Sequence, residues 1–121
     1  MVQVKVYGLR AHLSPKIQPM SDTIHVCLME IIAVPSEKRF HRFIALEPEV
    51  FIYPKDRTDN YTILEIMMFE GRTAETKKRL IRLLFERFER ELKIAPLDLE
   101  ITLIETPKVN WGVRGVPGDE L

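Results

Sequence analysis

Residues 61–106, YTILEIMMFEGRTAETKKRLIRLLFERFERELKIAPLDLEITLIET, read as one β-α-β unit, and that reading decides the fold. Tyr61 to Phe69 is almost continuously apolar, as expected of a central strand covered on both faces. Gly71-Arg72-Thr73 follows as turn and cap. Thr73 can accept a bond from the first free backbone N–H groups of a helix, and Glu75 suits the positive end of its dipole. The spacing predicts a helix whose buried stripe is Ile81, Leu84, Phe85, Phe88 and Leu92. Arg82, Glu86 and Arg90 ladder its outer face at four-residue spacing, as do Glu89 and Lys93. Pro96 stops the helix, and Leu99, Ile101 and Leu103 alternate with Glu100 and Thr102 in a second strand.

The same plan precedes this unit. Val2, Val4 and Val6 alternate with Gln3, Lys5 and Tyr7, and Gly8 ends that strand. Ser14-Pro15 offers an N-cap and a proline at the first helical position. Ile17, Met20, Ile24, Cys27 or Leu28, and Ile31 then recur at helical spacing. Pro19 does not fit a regular helix begun at Pro15, so either the first turn is distorted or the helix begins nearer Gln18. Val34-Pro35 closes the segment. Arg39 to Leu46 reads as a strand, Phe51-Ile52-Tyr53 as a hairpin arm, and the polar run from Pro54 to Asn60 as a loop. The tail from Pro107 to Leu121 reads as a short hairpin or arm.

The order is therefore β-α-β-β-α-β, an α+β domain covering 1–121 with pseudo-repeats at about 1–53 and 61–121. Ala33-Val34-Pro35-Ser36-Glu37 after the first helix echoes Ile94-Ala95-Pro96-Leu97-Asp98 after the second. Right-handed crossovers put both helices on one face of a four-stranded mixed sheet. Phe43, Ala45 and Ile104 stand opposite in phase to their strands' other apolar residues, so the other face is not fully polar. Another subunit is its simplest cover.

Lys and Arg total 18, as do Asp and Glu, so the basic surplus of a nucleic-acid binder is missing. Apolar runs fall far short of the ~20 residues that cross a bilayer, and no apolar signal core opens the chain. No membrane partner is expected, and a cytoplasmic location is. Cys27 is the only cysteine, which excludes an intrachain disulfide and reads as a small buried hydrophobe. His12, His25 and His41 lack metal-ligand spacing, so neither a metal nor any cofactor is expected.

Glu70-Gly71-Arg72-Thr73 leading into a helix, Asn110-Trp111-Gly112-Val113-Arg114-Gly115 near the end, and the repeat itself resemble the tautomerase superfamily. That superfamily includes 4-oxalocrotonate tautomerase, malonate semialdehyde decarboxylase and macrophage migration inhibitory factor. The resemblance implies a homotrimer built around the exposed sheet faces. It also implies chemistry at an N-terminal proline freed by removal of the initiator Met. Here Val2 follows Met1, and counting back from the helix cap puts the matching position near Gln3. A mechanism that does not use proline is therefore expected, with the α-amine as one candidate for moving the proton.

By the same resemblance Arg72 is the arginine that binds or polarises carboxylates and carbonyls, and Trp111 the aromatic that lines the pocket. A guanidinium suits the first role, since it forks onto a carboxylate and keeps its charge. Read from the residues alone, Arg72 is equally a turn arginine, Trp111 an interface or core residue, and Arg114 a partner of Asp119 or Glu120. Lys38, Arg39 and Arg42 form a basic cluster that can help hold an anionic substrate or simply be solvated. The expected function is a tautomerase-like isomerase or lyase acting on a small anionic 2-keto or enol acid. The alternatives are a non-catalytic oligomeric binding protein that retains an anion pocket for small carboxylates, and a purely structural subunit.

Overall fold

A computed structural model describes all 121 residues. Strand β1 (Val2–Leu9) leads through a short helix α1 (Arg10–Leu13) and one 3-10 turn into α2 (Ile17–Ile32). Strands β2 (His41–Leu46) and β3 (Thr62–Phe69) follow, then helix α3 (Ala74–Leu92) and strand β4 (Leu99–Thr106). The tail folds into a small hairpin, β5 (Gly112–Val113) and β6 (Val116–Pro117).

The sheet order is β2-β1-β3-β4, with the central β1–β3 pair antiparallel and both outer pairs parallel. Val4 lies opposite His41 and Leu64 opposite Ile101, each residue of the second pair sixty positions after its counterpart in the first. Both helices cover one face. Met20, Ile24 and Leu28 of α2, and Leu80, Leu84 and Phe88 of α3, meet Val2, Val4, Val6, Leu64, Ile66 and Met68 in one core. At ~1.5–3 kcal/mol for each fully buried large side chain, these two stripes at four-residue spacing hold the layers together. Cys27 is fully buried among them, and burial pushes its thiol up to about 11. No helix is long and apolar enough to cross a membrane.

Several expectations need correction. Ser14 makes no side-chain cap bond, because the chain already turns helical at Arg10. Pro19 is the third residue of α2, where a missing N–H leaves no intrahelical bond unmade. The buried stripe of α3 runs through Leu80, with Ile81 and Phe85 only half-buried. Glu86 pairs with Arg90 at 3.3 Å, whereas Lys93 is the left-handed C-cap at φ 58°. The strand after the first crossover begins at His41 rather than Arg39, with Phe40 O already accepting from Val4 N–H at 2.9 Å. Phe43 and Ala45 pack toward the helices, because Phe43 sits beside Val6 in the register. Phe51-Ile52-Tyr53 forms no strand. Phe51 and Tyr53 gather on Tyr61 with ring centroids 5.7 and 5.0 Å away.

β3 is covered on one face only by this chain. Ile63, Glu65 and Met67 remain half-buried on the other, beside Tyr7, Ile44 and Ile104. Tyr7 donates its hydroxyl hydrogen to Glu65 Oε1 at 2.8 Å across that face.

Candidate active site

Because β1 and β3 run antiparallel with Val2 opposite Met68, the start of β1 lies beside the end of β3. Parallel pairing of β2 with β1 brings the α2–β2 crossover to the same place. The tail closes the remaining side: Gly118 N–H donates to Trp111 O at 2.6 Å, and Arg114 and Gly115 turn the hairpin with φ of 54° and 84°. Positive φ at both turn residues is what a type I′ hairpin loop requires. Arginine is an unusual occupant of such a position.

These segments enclose a cavity of about 310 Å³. Met1 and Val2 form its floor, and Ile32, Val34 and Phe40 supply apolar walls. Lys38, Arg72 and Arg114 are the cations that line it, and no Asp or Glu side chain does. None of the three joins any ion pair of the chain. Arg72 is half-buried, and its Nη1 donates only to the Phe69 carbonyl at 3.1 Å. Burial, then the Arg72 and Lys108 cations, hold the Met1 α-amine below its ordinary value of 8.0. An α-amine that gives up its proton more readily than usual, beside an unpaired guanidinium, is a base next to an anion anchor.

Of the residues singled out in the sequence, Arg72 and Arg114 reach this cavity, as does Lys38 of the basic cluster. Arg39 does not: its Nη1 donates to Asp22 Oδ1 at 2.6 Å and to Ser21 Oγ at 3.4 Å. Arg42 donates to Gln3 Oε1 at 3.1 Å on the far face of the sheet. Trp111 stands edge-on to Phe69 with centroids 5.2 Å apart, supporting the tail from outside the cavity wall. Gln3 is also outside, and the terminal residues take its expected place. Helix begins at Arg10, several residues before the cap from which that position was counted. Phe40 and Leu121 were not anticipated at all, and only the sixty-residue register brings the crossover and the tail to one end.

A two-repeat α+β fold with an amine and unpaired cations at the start of its first strand defines a class, and the comparisons with known proteins agree with it. The family model described as "Tautomerase enzyme" matches residues 38–114, and the chain belongs to that family. It is 30% identical over 100 residues to the probable tautomerase YusQ of Bacillus subtilis (strain 168), covering 78% of this chain and 79% of that one. It is 33% identical over 57 residues to the 2-hydroxymuconate tautomerase of Pseudomonas putida, covering 47% of this chain and 90% of that one. Among solved structures, a wild-type fused 4-OT described as an asymmetric trimer superposes with a TM-score of 0.85 at 18% identity, covering 98% and 97% of the two chains. That last likeness is one of fold.

Proposed function

We propose that the chain is a tautomerase-like isomerase or lyase for a small anionic 2-keto or enol acid. The observation that carries this is the α-amine held below its ordinary value in a cavity whose lining cations have no carboxylate partner. Arg72 anchors the carboxylate next to the reacting carbon. In ketonisation the α-amine takes the proton from the enol oxygen, the oxygen's electron pair closes the carbonyl, and the former alkene carbon receives a proton from the ammonium. The amine ends as it began. Arg114 adds positive potential at the rim. Arg39, Arg42 and Trp111 act on the scaffold.

The assembly is a homotrimer. Ile44, Ile63, Met67 and Ile104 on the uncovered sheet face support it, as does the trimer formed by the fused 4-OT of the same fold.

The test is ketonisation of phenylenolpyruvate by the protein before and after selective blocking of its α-amine, with the N-terminus read by mass spectrometry. Turnover that rises with pH through a value below 8.0 and is lost on blocking is expected. No turnover above buffer would sink the enzyme reading. Thermal stabilisation by small carboxylic acids in that case would make the chain a binding protein.

A further inference from the structure

Six of the eleven residues lining the cavity lie between Ile32 and Phe40, on a crossover that belongs to no helix or strand after Ile32. The shape of the cavity therefore depends on what holds that crossover. Its two ends are tied by the backbone: Val34 N–H donates to Leu28 O at 3.4 Å, and Phe40 O accepts from Val4 N–H at 2.9 Å. Between them the turn Pro35–Lys38 has one internal backbone bond, from Lys38 N–H to Pro35 O at 3.0 Å. Its bond to the rest of the fold is made by a side chain. Nε2 of His25, a residue only 2% exposed, lies 2.9 Å from the Ser36 carbonyl oxygen. A carbonyl only accepts, so that nitrogen carries the hydrogen.

The residues around this bond are not the ones stability alone would select. His25 and His41 meet edge-on with ring centroids 5.9 Å apart, and Ser21 Oγ lies 2.8 Å from His41 Nδ1. His25 Nδ1 and His41 Nε2 are buried with no protein group to bond. Unmatched polar atoms in the interior cost folding free energy. Burial, then His25 and Arg39, keep His41 uncharged near neutrality, so no ion pair offsets that cost. Asp22, the acid next to Ser21, is taken by Arg39 at 2.6 Å. Sixty positions on, Ile81, Phe85 and Ile101 fill the same places with no side-chain polar atom.

We propose that His25 is a positioning residue of the cavity: its Nε2–H holds the α2–β2 crossover in the shape that walls the ligand, and the fold bears two unmatched nitrogens for that bond. The inference rests on the cavity being the ligand site and adds what keeps its wall in place. A turn released from His25 leaves the cavity competent to bind for a smaller fraction of the time. That weakens ground state and transition state alike.

Full-length wild type is compared with His25→Leu, which removes the donor, and with His25→Gln, whose amide nitrogen stands as many bonds from Cα as Nε2 does. In His25→Leu, hydrogen exchange at the Lys38 amide should quicken about tenfold, the scale of one lost hydrogen bond, while the melting temperature stays within about 4 °C. KM for phenylenolpyruvate should rise about fivefold with kcat within about twofold, and His25→Gln should restore both exchange and KM. Unchanged exchange at Lys38, or quicker exchange with KM unchanged, overturns the proposal. So does a fall in melting temperature with faster exchange throughout α2, which would make His25 a core residue only. A His25→Gln that fails to restore KM overturns it as well. Wild type without turnover sinks the enzyme reading alone, and fumarate affinity, read by amide shifts, then replaces KM. Wild type that neither turns over nor binds fumarate overturns both.

Discussion

The two ends of the β1–β3 pair occupy equivalent places sixty residues apart, and they hold opposite contents. At one end Met1, Lys38, Arg72 and Arg114 surround about 310 Å³ of open space. At the other, Tyr61, Asp98, His12 and Pro54 stand at the corresponding positions; the space beside Tyr61 and Lys16 is about 10 Å³, and the wider hollow of about 580 Å³ outside it, between His12, Phe51 and Tyr53, is lined by the carboxylates Glu47 and Asp59. Tyr61 is 6% exposed, and burial with the nearby Glu100 carboxylate pushes its hydroxyl up to about 12. Asp98 ties down Thr58, Lys16 donates to Asn60 Oδ1 at 2.8 Å, and His12 lies 3.7 Å from Asp59. The repeat thus supplies one backbone geometry twice, and the side chains decide how each end is filled. One end satisfies its polar groups internally. The other leaves cations without partners, as a ligand site does when binding rather than stability sets its residues.

The layers beneath differ in the same sense. In the half with the open crossover, Ser21 Oγ and His41 Nδ1 are 2.8 Å apart and His25 holds Ser36. Sixty positions on, the same places carry Ile81, Ile101 and Phe85. A polar layer lies under the open crossover, and an apolar one under its counterpart.

The largest expected contrast is catalytic. Arg72→Ala should lower kcat/KM for phenylenolpyruvate by about 100-fold, the scale of lost charged hydrogen bonds, while His12→Ala at the equivalent place stays within about twofold. Equal losses would mean that the ends are not functionally distinct. The next contrast is in stability. Asp98→Ala removes a buried carboxylate that accepts from the Thr58 N–H and hydroxyl and should cost roughly 1–2 kcal/mol in urea unfolding, against less than about 0.5 kcal/mol for Lys38→Ala. Gly118→Ala is a local test of the tail that walls only the open end. Its Cβ would lie 2.6 Å from Lys108 O and 2.9 Å from the Phe69 ring. The expected cost is roughly 1–2 kcal/mol, with faster proteolysis after Trp111.

The smallest effect is in acid. Burial, then His25 and Arg39, push His41 down to about 4 from 6.5. The folded value lies below the unfolded one, so the unfolded chain takes up the proton first. This contribution to stability is full above about 6.5 and declines as pH falls toward 4. His41→Gln should flatten that part of a melting-temperature profile by an amount on the order of 1 kcal/mol.

The elements with local signals were legible in the sequence. Thr73 caps α3 as its hydroxyl predicts, accepting from Thr76 N–H, and Leu84, Phe88 and Leu92 lie on the buried stripe. The phase of β2 was not legible, because only its register against β1 decides that Phe43 faces the helices. Arg39 and Lys38 are neighbours on an irregular segment, where no periodicity tells which one faces the cavity. Asp22, on a different element, captures Arg39 and leaves Lys38 free. Arg72, singled out by resemblance, lines the cavity, and Trp111, singled out in the same way, lies edge-on to Phe69. The start of the first helix was misplaced at Ser14 because a four-residue helix, α1, follows the strand directly with neither a cap side chain nor an acidic first turn to announce it.

Titration of uniformly labelled protein with fumarate, followed by amide chemical shifts, tests the difference between the two ends most directly. Shifts concentrated at Val2, Ala33 to Lys38, Arg72 and Arg114 are predicted, with Leu9 to His12 and Asp59 to Thr62 unmoved. Shifts concentrated at the second group, or saturable shifts at neither, would contradict the assignment of the open end as the site.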